Sequence, residues 1–264
     1  MTTALGPRRG RDLLRLGLVA ALLSAAGSAH AQVNTEPLRQ QVAQNGVGAR
    51  LRASATTYAG NTRGVIFSSS ALLGGRRGRN VAYLVLTGDY TRLNTVLSVA
   101  RWFAHARHNY ELCPWLWWEE YAQLESDRFR RVTRRELAGT GPRFGIVRGE
   151  ELELFYGASY MYEHTELDTA DTSARGEGAA HRFSNYVSLT LRAHERISLN
   201  STTYIQPRFD EPSDFALLSV TGADFSVTKL LHTGIDATIR YDSVAPSDVK
   251  HADFELKSSL ELVF

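Results

Sequence analysis

The chain has 264 residues, with 30 Lys and Arg against 28 Asp and Glu and a formal net charge of +2. Arg8, Arg9, Arg11, Arg15 and Asp12 fall in the first 31 residues, leaving 30 − 4 = 26 basic and 28 − 1 = 27 acidic residues, a net −1. That balance excludes a polyanion-binding protein of the nucleic-acid class, and the single cysteine, Cys113, excludes an internal disulfide.

Residues 1–31 read as a cleaved secretory signal peptide. A basic stretch precedes an apolar run from Leu16 to Ala26, and Ala29-His30-Ala31 supplies the small residues of a cleavage site. The run is shorter than a bilayer-spanning helix needs, and Gln32 rather than a cysteine follows the cut. Residues 32–46 form a polar lead, expected in the periplasm.

From residue 47 to 264 apolar and polar residues alternate almost without pause. The pattern predicts roughly twelve strands of about ten to fourteen residues, a length that suits tilted strands in a bilayer. Their cores fall near 47–59, 64–74, 80–90, 95–108, 115–126, 135–147, 151–164, 182–194, 197–207, 215–228, 231–242 and 252–264. No run approaches the roughly 18 consecutive apolar residues of a spanning helix. The expected fold is an all-β, transmembrane, antiparallel up-and-down β-barrel in a Gram-negative outer membrane. A secreted sandwich is the rival, but charged residues at mid-strand would be costly in its dry core.

The fifth strand is the ambiguous one, because "WWEEYAQLESDRF" could also form a short helix. Read as a strand, it puts Leu116, Trp118, Ala122 and Leu124 on the apolar face together with Glu120. That carboxylate must sit near the membrane interface, or the register is wrong. Trp115, Trp117 and Trp118 are expected at the periplasmic rim, and Tyr160 and Tyr162 at the outer one. "GTGPRFG" (Gly139 to Gly145) lacks the strand–helix context of a phosphate loop and reads as flattened strand or a bulge.

The later strands separate their faces clearly. In the seventh, Leu152, Leu154, Tyr156, Ala158, Tyr160 and Tyr162 oppose Glu153, Gly157, Ser159 and Glu163, with Phe155 and Met161 as apolar exceptions. The polar faces put Glu153, Glu163, Arg192, His194, Asp236, Arg240, Glu255, Lys257 and Glu261 toward the lumen, where charged rings set ion selectivity. Opposite charges such as Asp236 and Arg240 beside Glu255 and Lys257 could equally pair and fill it. Even-numbered connections are short and most odd-numbered ones longer and polar, as expected for a barrel entered from the periplasm.

The last strand alternates to its end. Leu256, Leu260, Leu262 and Phe264 form the apolar series ending in an aromatic that the barrel-assembly machinery would take as its insertion signal. In the loop "SDRFRRVTRRE", Arg128, Arg130, Arg131, Arg134 and Arg135 are candidates to grip lipopolysaccharide phosphates by bidentate hydrogen bonds. The blander reading pairs them with Glu125, Asp127 and Glu136.

A rim lipid hydrolase is a further alternative, with His164, His181 or His194 near Ser173 and Ser184, although no nucleophile motif surrounds either serine. The eight histidines are scattered and the acids lack ligand spacing, so neither a metal nor a cofactor is expected.

The stretches "TYAGNTRG", "ARHNYEL", "WEEYAQLESDRFRRVTRRELAGTGPRFGI", "TYIQPRFDEPSDF" and "RYDSVAPSDVKHADFELKSSLELVF" give the chain, from Gly46 to Phe264, a pattern that resembles the salt-induced outer-membrane proteins (YdiY-like), a family of unknown function. The resemblance implies an outer-membrane barrel and brings no catalytic residue, ligand or partner. The functional expectation is a non-enzymatic barrel, either a narrow pore for ions and small solutes or a structural envelope barrel linked to osmotic or salt stress.

Overall fold

The computed structural model describes residues 46–59, 63–94, 96–168, 177–228, 231–245 and 249–262. The signal peptide, the lead up to residue 45, Ser173 and Phe264 lie outside the described residues. Twelve strands follow one another: β1 (Gly46–Tyr58), β2 (Gly64–Arg77), β3 (Asn80–Leu93), β4 (Val96–Cys113), β5 (Leu116–Asp127), β6 (Val132–Arg148), β7 (Leu152–Leu167), β8 (Gly178–His194), β9 (Ile197–Pro207), β10 (Phe215–Ser226), β11 (Leu231–Asp242) and β12 (Ala252–Leu262). Each pairs antiparallel with its chain neighbour in one sheet of order β1 to β12. This is the antiparallel up-and-down architecture expected of a transmembrane barrel. Among the described residues no ladder joins β1 to β12, and Val47 and Leu51 of β1 are 86% and 80% exposed.

The longest connections share one side. At one end lie 78–79, 114–115, 149–151, 195–196 and 227–230, while the opposite end carries 168–177, 208–214 and 243–251 together with the shorter 59–63, 94–95 and 128–131. Short turns suffice where antiparallel strands simply reverse. The rival helix in "WWEEYAQLESDRF" does not form. That sequence is β5, followed only by a 3-10 turn over Arg128–Arg130. The Asp127 side chain caps the turn by accepting from the Phe129 N–H at 3.0 Å, and Arg131 at φ 60° ends it.

Alternation sorts the side chains as a period of two requires. In β5, Trp117, Glu119, Gln123, Glu125 and Asp127 are buried, whereas Trp118, Glu120, Ala122 and Leu124 are exposed. The register around Glu120 therefore follows the strand without a slip. Glu120 stands one outward position beyond Trp118 and meets the His108 imidazole at 3.4 Å, whose other nitrogen meets Asn80 Oδ1 at 2.9 Å. Three polar groups gathered beside the indole near the short-turn end resolve the apparent misplacement of this acid.

Trp118 and Trp115 are exposed as expected of rim aromatics, and Trp115 stacks on Phe144, which stacks on Tyr156. Trp117 departs from the expectation. It faces inward, buried, with its ring edge on Phe155 and the Arg148 guanidinium over it. Tyr160 and Tyr162 are exposed on the outward face.

Seven of the buried apolar side chains form two small patches rather than one core, and Trp117, Leu137, Phe155 and Met161 lie outside both. Val81, Tyr83, Val85 and Phe103 make the first, and Tyr186, Tyr204 and Leu218 the second. Between them the interior is polar. Two glycines make room for its rings: Gly139 sits opposite Tyr121 and Gly157 opposite Tyr186, and a Cβ at either would strike the ring of its partner. The "GTGPRFG" stretch belongs to β6, whose pairing with β7 shifts between Gly145 and Val147, the bulge expected there.

Candidate functional site

The inward faces of β4 to β10 carry most of the buried polar side chains, arranged as two linked clusters. The deeper one, nearer the short turns, centres on Glu119 of β5. Tyr186 of β8 donates its hydroxyl to Glu119 Oε2 at 2.6 Å, and Arg143 Nη1 of β6 donates to the same hydroxyl oxygen at 2.8 Å. Arg143 also lies 3.6 Å from Glu119 Oε1 and covers the face of Phe155 at 4.0 Å. With the Asn109 amide turned so that its nitrogen faces Glu119 Oε1 at 2.9 Å, it adds a further donor. Arg107 of β4 stands farther off, 3.9 Å from the carboxylate, beside the rings of Tyr121 and Tyr186. Arg143 is 1% exposed and Met161 0%, so both side chains are wholly buried at this level.

Above it, toward the long loops, charges alternate from strand to strand. Glu125 of β5 meets Arg135 of β6 at 3.3 Å, Arg135 meets Glu163 of β7 at 2.6 Å, and Glu163 meets Arg182 of β8 at 3.4 Å. Arg182 reaches Asp214 at 3.0 Å, which also faces Arg208 at 3.4 Å, and Arg208 grips Asp210 with two nitrogens at 2.9 and 2.7 Å. Such pairs repay the cost of burying charge only when hydrogen-bonded, as all of these are except Glu163–Arg182, which is an ion pair without a hydrogen bond. In the solvated loop the Arg208 hydrogen bonds hold the Asp210 carboxyl down to about 2 and raise Arg208. Arg130, Arg135, Glu163, Arg182, Arg240 and Lys250 line a charged vestibule open toward the long loops.

The lumen candidates divide by position. Glu163, Arg240 and Glu255 are buried inside, the last two 4.0 Å apart. Glu153 and Arg192 pair at 3.7 Å at the short-turn rim, half exposed. His194 ends β8 at the surface, where its Nδ1 accepts from the Arg196 N–H. Asp236 is exposed and in register with Lys257, and His232 with Glu261, while the side chains of Lys257 and Glu261 lie outside the described set. Leu256 is exposed on the outward face, and for Leu260 and Leu262 only the backbone pairing with Thr233 and Leu231 is described.

The arginine cluster does not stay together. Arg128, Arg131 and Arg134 are exposed, with Arg134 paired to Glu136 at 2.7 Å. Arg135 is buried inside the sheet and Arg130 half-buried above it. The reason is that Arg135 stands in β6 on the same face as Leu137 and Arg143, and the period of two turns it inward. The hydrolase candidates are separated too: His181 points outward, meeting Tyr160 OH at 2.5 Å, whereas Ser184 points inward and accepts from Gln206. They occupy opposite faces of β8.

The interior residues absent from the sequence-based candidates are Arg107, Glu119, Gln123, Glu125, Arg143, Arg182 and Gln206. Their signal was present in the alternation: Glu119, Gln123 and Glu125 share the face opposite Trp118 and Leu124. Among the described residues no group of three or more His, Cys, Asp or Glu could hold a metal ion.

A largely apolar outward face and a charged, hydrogen-bonded inward face on one up-and-down antiparallel sheet define the class of fold. The model of a family of unknown function, DUF481, matches residues 51–264, and the chain belongs to that family. No curated protein matches it. A structure titled as the NanC porin is 9% identical, with TM-score 0.47, covering 82% of this chain and 99% of its own. A structure titled as a bacterial polysaccharide outer membrane secretin is 10% identical, with TM-score 0.44, covering 83% and 91%.

Proposed function

We propose that this chain is an integral outer-membrane barrel, without enzymatic activity, whose interior is a narrow passage for ions and small solutes. The observation that carries the reading is the alternating row Glu125–Arg135–Glu163–Arg182–Asp214–Arg208 facing an open vestibule. Fixed charge at a narrow waist sorts permeants by sign and size. Below the vestibule the path narrows to the level of Glu119, Arg143 and Tyr186, which sets a small conductance. The Nε–H groups of Arg135 and Arg182 lack an acceptor among the described residues, and buried N–H groups of this kind call for water. In the same reading the alternating C-terminal strand is presented to the barrel-assembly machinery.

Planar-bilayer recording of the refolded chain tests the proposal. Small, discrete steps are expected, growing in Tyr186→Ala. A properly folded protein and variant that both stay silent would overturn it and favour the structural barrel, a reading supported by the Tyr186–Glu119 bond across the interior. The link to salt or osmotic stress rests on the family resemblance, and loss of growth at high salt on deletion is the result it requires.

A further inference from the structure

The cavity between the two clusters is lined by His105, Arg107, Tyr121, Ser159, Ser184 and Gln206, with Tyr186, Tyr204, Leu218 and Met161 around them. Its character is set by an imbalance of charge. At this level two arginines, Arg107 and Arg143, face one carboxylate, Glu119. Glu119 is already committed to Tyr186 at 2.6 Å and to Arg143, and it leaves Arg107 at 3.9 Å, beyond hydrogen-bonding distance. Arg107 is 5% exposed, yet its Nε and Nη1 find no hydrogen-bond acceptor among the described residues. A guanidinium remains charged at any ordinary pH, and burying it without full compensation costs several kcal/mol.

The hydroxyls around the cavity can add to this. Tyr121 and Ser159 share a hydrogen bond at 2.9 Å, in which Tyr121 donates because the Ser159 hydroxyl donates to the Ser184 carbonyl at 3.3 Å. Ser184 Oγ accepts from Gln206 at 3.0 Å, which frees its own hydrogen to point inward. His105 is held by Gln123 Oε1 at 3.3 Å and stacked between Phe103 and Tyr121. Gln123 Oε1 is taken up by His105, and the Glu119 oxygens by Tyr186, Arg143 and Asn109, while His105 Nε2 has no hydrogen-bond partner among the described residues.

From this geometry we infer that the cavity is a binding site for a small monovalent anion, held by Arg107 with the Ser184 hydroxyl as a further donor. The cavity measures about 30 Å³, room for one or two water molecules. A bare halide fits, and a carboxylated sugar does not. The bound anion supplies the counter-charge that Glu119 leaves unfilled. It also makes the waist of the interior locally anion-attracting, even though the charges of the vestibule above it are largely paired.

The test separates binding from conduction. Crystals of the full chain soaked in sodium bromide should show an anomalous peak beside the Arg107 guanidinium, absent in Arg107→Gln. In solution, the wild type should melt higher in sodium bromide than in sodium gluconate at equal ionic strength, because gluconate is too large to enter and binding to the native state stabilises it. That difference should vanish in Arg107→Gln and persist in Arg134→Gln, which removes an exposed charge from the loop end. Bromide found only at the surface, or a melting difference lost equally in Arg134→Gln, overturns the inference. Should Arg107→Gln fail to fold, the wild-type anomalous map decides alone. A bilayer that never conducts would end the passage reading and leave this site standing.

Discussion

Tyr186 on β8 and Glu119 on β5 are 67 positions apart in the chain and three strands apart in the sheet, yet their oxygens meet at 2.6 Å. The bond spans the inside of the sheet, where strand ladders cannot reach, and Arg143 from the intervening β6 completes it. Tyr186→Phe keeps the ring on Gly157 and removes the hydroxyl that donates to Glu119 and accepts from Arg143. We expect a loss of about 1–3 kcal/mol, the cost of leaving a buried acceptor short, read from urea unfolding followed by tryptophan fluorescence. A loss below 0.5 kcal/mol, the level of neutral surface changes, would show that the bond carries nothing.

The alternating row makes a second prediction. Arg135 stands between Glu125 and Glu163, all three buried. Arg135→Met strands two carboxylates, and about 3–5 kcal/mol should be lost. Adding Glu163→Gln should restore part of that loss, because the remaining charge then has less to repel it. Additive losses in the double variant would contradict a coupled row.

The outward face gives a third. Leu86 lies near the middle of β3, exposed, in register with Ala71 and Ala104. If that face meets lipid, Leu86→Arg should cost about 2–4 kcal/mol in vesicles. On a water-facing strand the same change would fall within about 0.5 kcal/mol. Unfolding from phosphatidylcholine vesicles distinguishes the two.

Titration gives the fourth. The Asp210 pKa is depressed to about 2 by the Arg208 hydrogen bonds. A depressed folded-state carboxyl contributes stability that is present above its unfolded pKa of about 3.9 and lost as pH falls through the folded value. The 208–214 loop should therefore hold its geometry at pH 4 and loosen toward pH 2. Carbon-13 titration of the Asp210 carboxyl should place its midpoint near 2 in the wild type and nearer the ordinary range in Arg208→Gln. An unmoved midpoint in the variant would refute the pairing.

The sheet was largely legible in the chain because a period of two is local. The alternation of Leu116, Trp118, Ala122 and Leu124 fixes the face of Glu120 without reference to any other strand. What it does not encode is which inward residues meet across the interior. Nothing between Glu119 and Tyr186 announces their contact, and Arg107 looks like any polar strand residue until its neighbours are known. Strand ends were the other weakness. A capped 3-10 turn at Arg128–Arg130 leads into β6, where Arg135 belongs to the inward face of Leu137 and Arg143 rather than to the loop.

One consequence follows from how unevenly the inside is occupied. No described residue of β1 or β2 is buried, whereas β4 to β8 are cross-braced by the Glu119 cluster and the charge row. The sheet thus combines a braced arch with a thin flank, and mechanical strain would be taken up first by the flank.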